Sequence, residues 1–166
     1  RNKYEQLKKS GGDLAAFLEN KKQTSRENGR TPFQWDSSAN GGFTTGKPWL
    51  TVNPNFSTIN AEAQEKDPNS VLNYYRKLVK VRKANPVLQY GKYTLLDKEN
   101  PNVFSYTREL DGKKLVIVLN FTEKEATYDL GFSTTTSKII LSNYLKSKSI
   151  KNNTLRPYEA VIFEIK

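Results

Sequence analysis

Residues 67–86 read DPNSVLNYYRKLVKVRKANP, and from residue 88 the chain continues LQYGKYTLLDKENPNVFSYTREL. In the first stretch Val71, Leu72, Tyr75, Leu78 and Val79 recur at helical spacing. Asp67 suits an N-cap and Pro68 the first helical position, which predicts a helix over 68–84. Lys80, Arg82 and Lys83 crowd its last turn, where the helix dipole favours cations, and Asn85-Pro86 stops it. Beyond Leu88 the period falls to two. The chain therefore changes from helix to sheet within a few residues.

Downstream, the alternation predicts strands at 91–97, 103–109, 114–121, 126–131, 137–143 and 157–165. Turn signals separate them at Glu99-Asn100-Pro101-Asn102, at Asp111-Gly112 and across the polar stretch 146–153. Asp-Gly between two apolar strands is a hairpin signal. Short strands at regular spacing point to an all-β sandwich or barrel-like module.

Upstream, residues 3–23 read as helical, with a break at Gly11-Gly12. Asp13 is placed to cap a second helix carrying Leu14, Phe17 and Leu18 on one face. Residues 25–67 hold neither period for long. Irregular segments beyond roughly 12–15 residues are uncommon in compact domains. This one carries Trp35, Trp49, Phe33, Phe43 and Phe56, residues in which a disordered linker is poor. It reads as an ordered loop packed against something, and the first half of the chain has little core of its own.

Composition narrows the chemistry. The 166 residues contain no cysteine and no histidine. Thiol catalysis, disulfides, Ser/His arrangements and the usual zinc ligands are therefore excluded from this chain. No metal or cofactor is expected. No apolar run approaches a membrane span. A net charge of +10 would suit a polyanion, but the lysines are scattered rather than blocked. The remainder of a larger protein can balance such a charge, so neither nucleic acid nor membrane is expected as a partner. The chain starts at Arg1 and has no Met, so the natural start is expected elsewhere; a cytoplasmic location is favoured.

The most distinctive run is SRENGRTPFQWD, residues 25–36. It gathers two guanidinium groups, two carboxylates, an amide and an indole. Arg is a fixed charged fork, and Asn, Gln and Trp offer paired hydrogen bonds and a flat apolar face, so the run suits a sugar. The same residues also suit a purely structural role, with Arg30 and Asp36 as an internal ion pair and Phe33 and Trp35 as anchors. Nothing in the spacing makes Glu27 and Asp36 a glycosidase carboxylate pair. No phosphate-cradling glycine loop is present. Asn120-Phe121-Thr122 and Asn152-Asn153-Thr154 match the glycosylation triplet, which needs a secretory context to matter.

Four stretches in order, SRENGRTPFQWD (25–36), GGFTTGKPWLTVNPNF (41–56), INAE (59–62) and DPNSVLNYYRKLVKVRKANP (67–86), resemble the α-glucosidases of the α-amylase superfamily. The resemblance is to the group containing oligo-1,6-glucosidases, trehalose-6-phosphate hydrolases and sucrose isomerases. YGKYTLL (90–96), KLVIVLNFT (114–122) and TLRPYEAVIFEIK (154–166) resemble that family's terminal domain. The resemblance implies an α+β fragment: the last helices and long loop of a (β/α)8 barrel, then a C-terminal antiparallel β-sandwich domain. Residues 1–86 would end the barrel and 87–166 would form the β-domain. The family cleaves α-glucosidic bonds with retention through an Asp nucleophile, a Glu acid/base and a second Asp. Those residues are expected upstream, so no catalytic residue is expected in this chain, and the chain alone is expected to be inactive.

By position, Arg26 matches the family arginine that reaches the non-reducing glucose. Arg30, Gln34 and Trp35 match positions expected to hold the loop's shape. Glu27 stands where the family usually has Asp. The implied partners are an α-glucoside oligosaccharide and the rest of the barrel. The competing readings are a segment of a sucrose isomerase and a free β-module binding glycan or nucleic acid.

Overall fold

The computed structural model describes residues 2–132, 134, 137–144 and 152–165 (of Asn28, the backbone alone). The chain forms two compact units, Arg1–Pro68 and Asn69–Lys166.

The first unit opens with two helices, α1 (Asn2–Lys9) and α2 (Leu14–Thr24). Gly11-Gly12 separates them, and the Asp13 carboxylate accepts from the Ala16 N–H at 2.9 Å, which caps α2. Tyr4 and Phe17 bring the two helices together, ring centroids 6.3 Å apart. The irregular stretch that follows is built from short 3-10 turns at Arg26–Gly29, Ala39–Gly42 and Pro54–Ser57. It ends in a helix that alternation does not reveal, α3 (Ala61–Lys66). Six residues are too few to show a period; the signal is Asn60, whose side chain accepts from Ala63 N–H at 2.9 Å.

The second unit begins with α4 (Val71–Lys83). It starts later than the expected 68–84, because Ser70 and not Asp67 is the cap: its hydroxyl accepts from Asn73 N–H at 3.2 Å. Pro68 thus lies ahead of the helix. Asn85-Pro86 does stop α4, and it also starts α5 (Pro86–Tyr90), with Asn85 as cap and Pro86 in the first turn.

Among the described residues seven strands follow: β1 (Lys92–Leu96), β2 (Val103–Leu110), β3 (Lys113–Asn120), β4 (Ala126–Thr127), β5 (Lys138–Ser142), β6 (Thr154–Leu155) and β7 (Ala160–Ile165). Five make an antiparallel sheet in the order β1-β2-β3-β7-β5, and β4 pairs with β6 in a small second sheet. The β2–β3 hairpin turns at Asp111-Gly112, both at positive φ (49° and 75°), as a tight hairpin requires. The expected turn over 146–153 lies largely outside the described residues.

The central strand β3 is apolar on both sides because both faces of the sheet are covered. On one face Val103, Val116, Val118, Val161 and Phe163 pack with Ala126, Tyr128, Leu130 and Leu155 from the β4–β6 side. On the other, Leu115, Ile117 and Ile162 pack with Val87 and Leu88 of α5 and with Leu78 and Val81 of α4. Each such side chain, fully buried, contributes about 1.5–3 kcal/mol. The β-part is thus an antiparallel sandwich whose second sheet is small, with helices on the opposite side of the main sheet.

Candidate functional site

The run 25–36 is held by backbone before any side chain acts. Trp35 and Asp36 N–H both donate to the Gly41 carbonyl, at 2.7 and 3.3 Å. The carbonyls of Gln34 and Trp35 accept from Ala61 and Glu62 N–H, each at 2.9 Å, so the run lies along the start of α3. Asn40, Gly41 and Gly42 follow one another at φ 55°, 65° and 67°. Three consecutive left-handed residues need glycine or asparagine, which explains the composition of this turn.

Gln34 is a hub of the loop. Its amide donates to Asn55 Oδ1 at 2.9 Å and to the Ile59 carbonyl at 2.5 Å, joining segments more than twenty residues apart. Trp35 stacks edge-on against Phe33, centroids 4.6 Å apart, and both rings are exposed. Trp49 is 76% exposed on the same unit.

The charged groups pair differently from the Arg30–Asp36 ion pair that the run invites. Glu27 Oε1 lies 3.7 Å from both Arg26 Nε and Arg30 Nη1. Asp36 instead accepts from the Ser38 N–H (2.8 Å) and hydroxyl, and these hydrogen bonds hold its carboxyl below the ordinary value. The physical reason is local: Glu27 and Arg30 share one turn, as do Asp36 and Ser38. Each acid is therefore held within its own turn. Arg26 keeps 80% of its side chain exposed, with an outward guanidinium able to donate to hydroxyls or a carboxylate.

Of the two glycosylation triplets, Asn120 is buried and its amide donates to the carbonyls of Lys124 (2.7 Å) and Arg156 (2.9 Å). It is a structural asparagine, whereas Asn152 is exposed. Among the described residues no helix is long and apolar enough to cross a membrane.

Comparison with known proteins divides the chain between residues 91 and 93, within the second compact unit. Residues 2–91 match the family model of the α-amylase catalytic domain, and residues 93–162 match that of the maltogenic amylase C-terminal domain. An oligo-1,6-glucosidase of Bacillus cereus is 38% identical over 165 residues, covering 98% of this chain and 30% of that protein. A trehalose-6-phosphate hydrolase of Bacillus subtilis is 39% identical, covering 99% and 30%. Among solved structures, the trehalose-6-phosphate hydrolase of Bacillus licheniformis superposes with a TM-score of 0.87 at 33% identity, covering 98% of this chain and 30% of that one. The isomaltulose synthase of Protaminobacter rubrum gives 0.83 at 41% identity, again over 98% and 30%. The chain thus spans 30% of the length of these relatives. Its two matched regions, its sheet and its loop together show that the chain belongs to the α-amylase family, as a catalytic-domain tail joined to a C-terminal antiparallel β-domain.

Proposed function

We propose that this chain is the C-terminal segment of a retaining α-glucosidase that hydrolyses α-glucosidic bonds of oligosaccharides. The observation that carries the reading is an arginine on an ordered loop, exposed at 80% of its side chain, within a chain similar along its whole length to α-glucoside-cleaving enzymes. In this reading the catalytic carboxylates belong to the part of the longer protein outside this chain. Arg26 donates hydrogen bonds to the glucose that is cleaved off. Arg30, Gln34 and Trp35 keep the loop in shape, through the Glu27 pair, the Asn55 and Ile59 contacts and the ring contact with Phe33. Residues 1–86 complete the barrel and 87–166 form the terminal domain.

A second reading, a sucrose isomerase segment, is favoured by the 41% identity to an isomaltulose synthase. Both readings predict an enzyme acting on α-glucosides, and they differ in whether water reaches the glucosyl intermediate. The full-length protein is incubated with isomaltose and, separately, with sucrose, and the products are separated. Free glucose from isomaltose supports the hydrolase; a rearranged disaccharide from sucrose supports the isomerase. Failure to turn over any α-glucoside overturns both.

A further inference from the structure

Phe121 and Tyr158 are exposed at 68% and 59%, on turns whose backbones are neighbours. The Tyr158 N–H donates to the carbonyl of Thr122, the residue after Phe121, at 3.0 Å. On the side away from Tyr158, the Phe121 N–H donates to the Asn102 carbonyl at 3.1 Å. The cluster lies where β2 and β7 begin and β3 ends, at the end of the sheet opposite Gly91 and Glu109.

Tyr158 is held in a conformation that its side chain disfavours. The turn from Arg156 to Glu159 is closed by the Glu159 N–H on the Arg156 carbonyl at 3.0 Å, with Pro157 second and Tyr158 third at φ 53°. A positive φ at the third position of such a turn calls for glycine or asparagine, and a bulky residue is strained there. An exposed ring offsets little of that strain by burial. The backbone is nonetheless pinned on both sides of the residue: besides the bond to Thr122, the Tyr158 carbonyl accepts from Asn143 Nδ2 at 2.8 Å. The ring is thus presented to solvent from a fixed mount. Strain of this kind gathers where a side chain serves binding.

The exposed Asn102 amide and the Tyr158 hydroxyl have no hydrogen-bond partner among the described residues. Two flat rings beside an available amide and a phenol suit a sugar: the ring faces cover its C–H surface, and the polar groups reach its hydroxyls. The exposed charges that follow Phe121, on Glu123, Lys124 and Glu125, are mixed in sign, which disfavours a polyanion and suits a neutral ligand. We propose that Asn102, Phe121 and Tyr158 form a platform for a neutral α-glucan chain. The choice of an α-glucan rests on the reading of this chain as part of an α-glucosidase; the platform itself rests on the strained, exposed Tyr158 and its neighbours.

The full-length protein and its Phe121→Ala, Tyr158→Asn and Asn102→Ala variants are run on native gels with and without amylopectin. Phe121→Ala and Tyr158→Asn are expected to weaken the apparent affinity for amylopectin at least about fivefold, with kcat/KM on p-nitrophenyl α-glucoside unchanged. Asn102→Ala gives the same readout should Phe121→Ala fail to fold. Tyr158→Asn is expected to melt no lower than the parent, because asparagine tolerates positive φ. Arg26→Ala does the reverse, losing turnover and keeping retardation. A parent that amylopectin does not retard, or parent-like retardation in both ring variants, overturns the platform. A lower melting temperature in Tyr158→Asn also overturns it, since the ring would then serve the fold. Retardation lost as fully in Arg26→Ala as in the ring variants overturns it in favour of binding at the cleaved bond alone. Ring-dependent retardation in a protein that cleaves no α-glucoside supports the platform and overturns the functional reading; cleavage without retardation does the opposite.

Discussion

Glu159 is 99% buried and is gripped by Arg156 three residues before it: the Arg156 backbone N–H, Nε and Nη2 donate to its two carboxylate oxygens at 2.9, 3.2 and 3.1 Å. The guanidinium lies over the Tyr144 ring, 3.8 Å from its centroid. One carboxylate therefore fixes the turn that sends the chain into β7. Removing it takes away the carboxylate that the Arg156 backbone N–H, Nε and Nη2 donate to. Glu159→Ala is expected to lower stability by about 2–4 kcal/mol, and Glu159→Gln by less, since the amide keeps one acceptor. Urea unfolding midpoints of the two variants check the order.

Burial of Tyr128, with Glu159 nearby as a lesser cause, pushes its hydroxyl up to about 12. A raised value in the folded state means that the native protein holds the proton more tightly than the unfolded chain. The contribution is fully present below the ordinary tyrosine value of 10.0 and is lost as pH rises toward about 12. Tyr128→Phe should therefore flatten the stability profile between those limits relative to the parent. Urea unfolding at about pH 9, below that window, and at about pH 11.5, near its upper end, reads the difference.

Gly91 joins α5 to β1 where there is no room for a side chain. A Cβ there would lie 2.5 Å from the Val87 carbonyl and 3.0 and 3.1 Å from Glu109 N and O. All three atoms are backbone, so none can swing aside. Gly91→Ala is expected to cost about 2–4 kcal/mol, more than a surface substitution normally does, and to disturb the β1–β2 pairing. Thermal unfolding together with amide exchange at Glu109 tests it.

Gln34 bridges Asn55 and Ile59 through one amide group. Gln34→Ala strands both acceptors, at about 1–3 kcal/mol. Its effect should be local: faster proteolytic cleavage within residues 37–58, with the second unit as resistant as before.

The sequence shows the sheet through alternation in strands such as β2 and through short apolar runs in β3 and β7, and shows the β2–β3 hairpin because Asp111-Gly112 has few other uses. Asp13 is legible as a cap for the same reason. What escapes the sequence depends on choices between equivalent neighbours. Asp67 and Ser70 are both good caps, and only the fold selects Ser70. Arg30 has acids at 27 and 36, and the turn geometry selects Glu27. The run around Arg26 is legible by composition and resemblance, whereas the row of Tyr93, Tyr106 and Phe104, with successive ring centroids 5.1 and 5.5 Å apart, is not. Phe104 and Tyr106 share a face of β2 by alternation, but Tyr93 joins them only through the β1–β2 register, in which Tyr93 faces Arg108 and Leu95 faces Tyr106.

In the proposed enzyme Arg26 touches the sugar while the rest of the loop supports it. Steady-state kinetics of the full-length protein on p-nitrophenyl α-glucoside, with Arg26→Ala and Arg26→Lys beside the parent, tests it most directly. A fall in kcat/KM of about a hundredfold is expected for Arg26→Ala, with partial recovery for Arg26→Lys and an unchanged melting temperature in both, because the side chain is exposed and loosely paired. Parent-like kcat/KM in Arg26→Ala would contradict it.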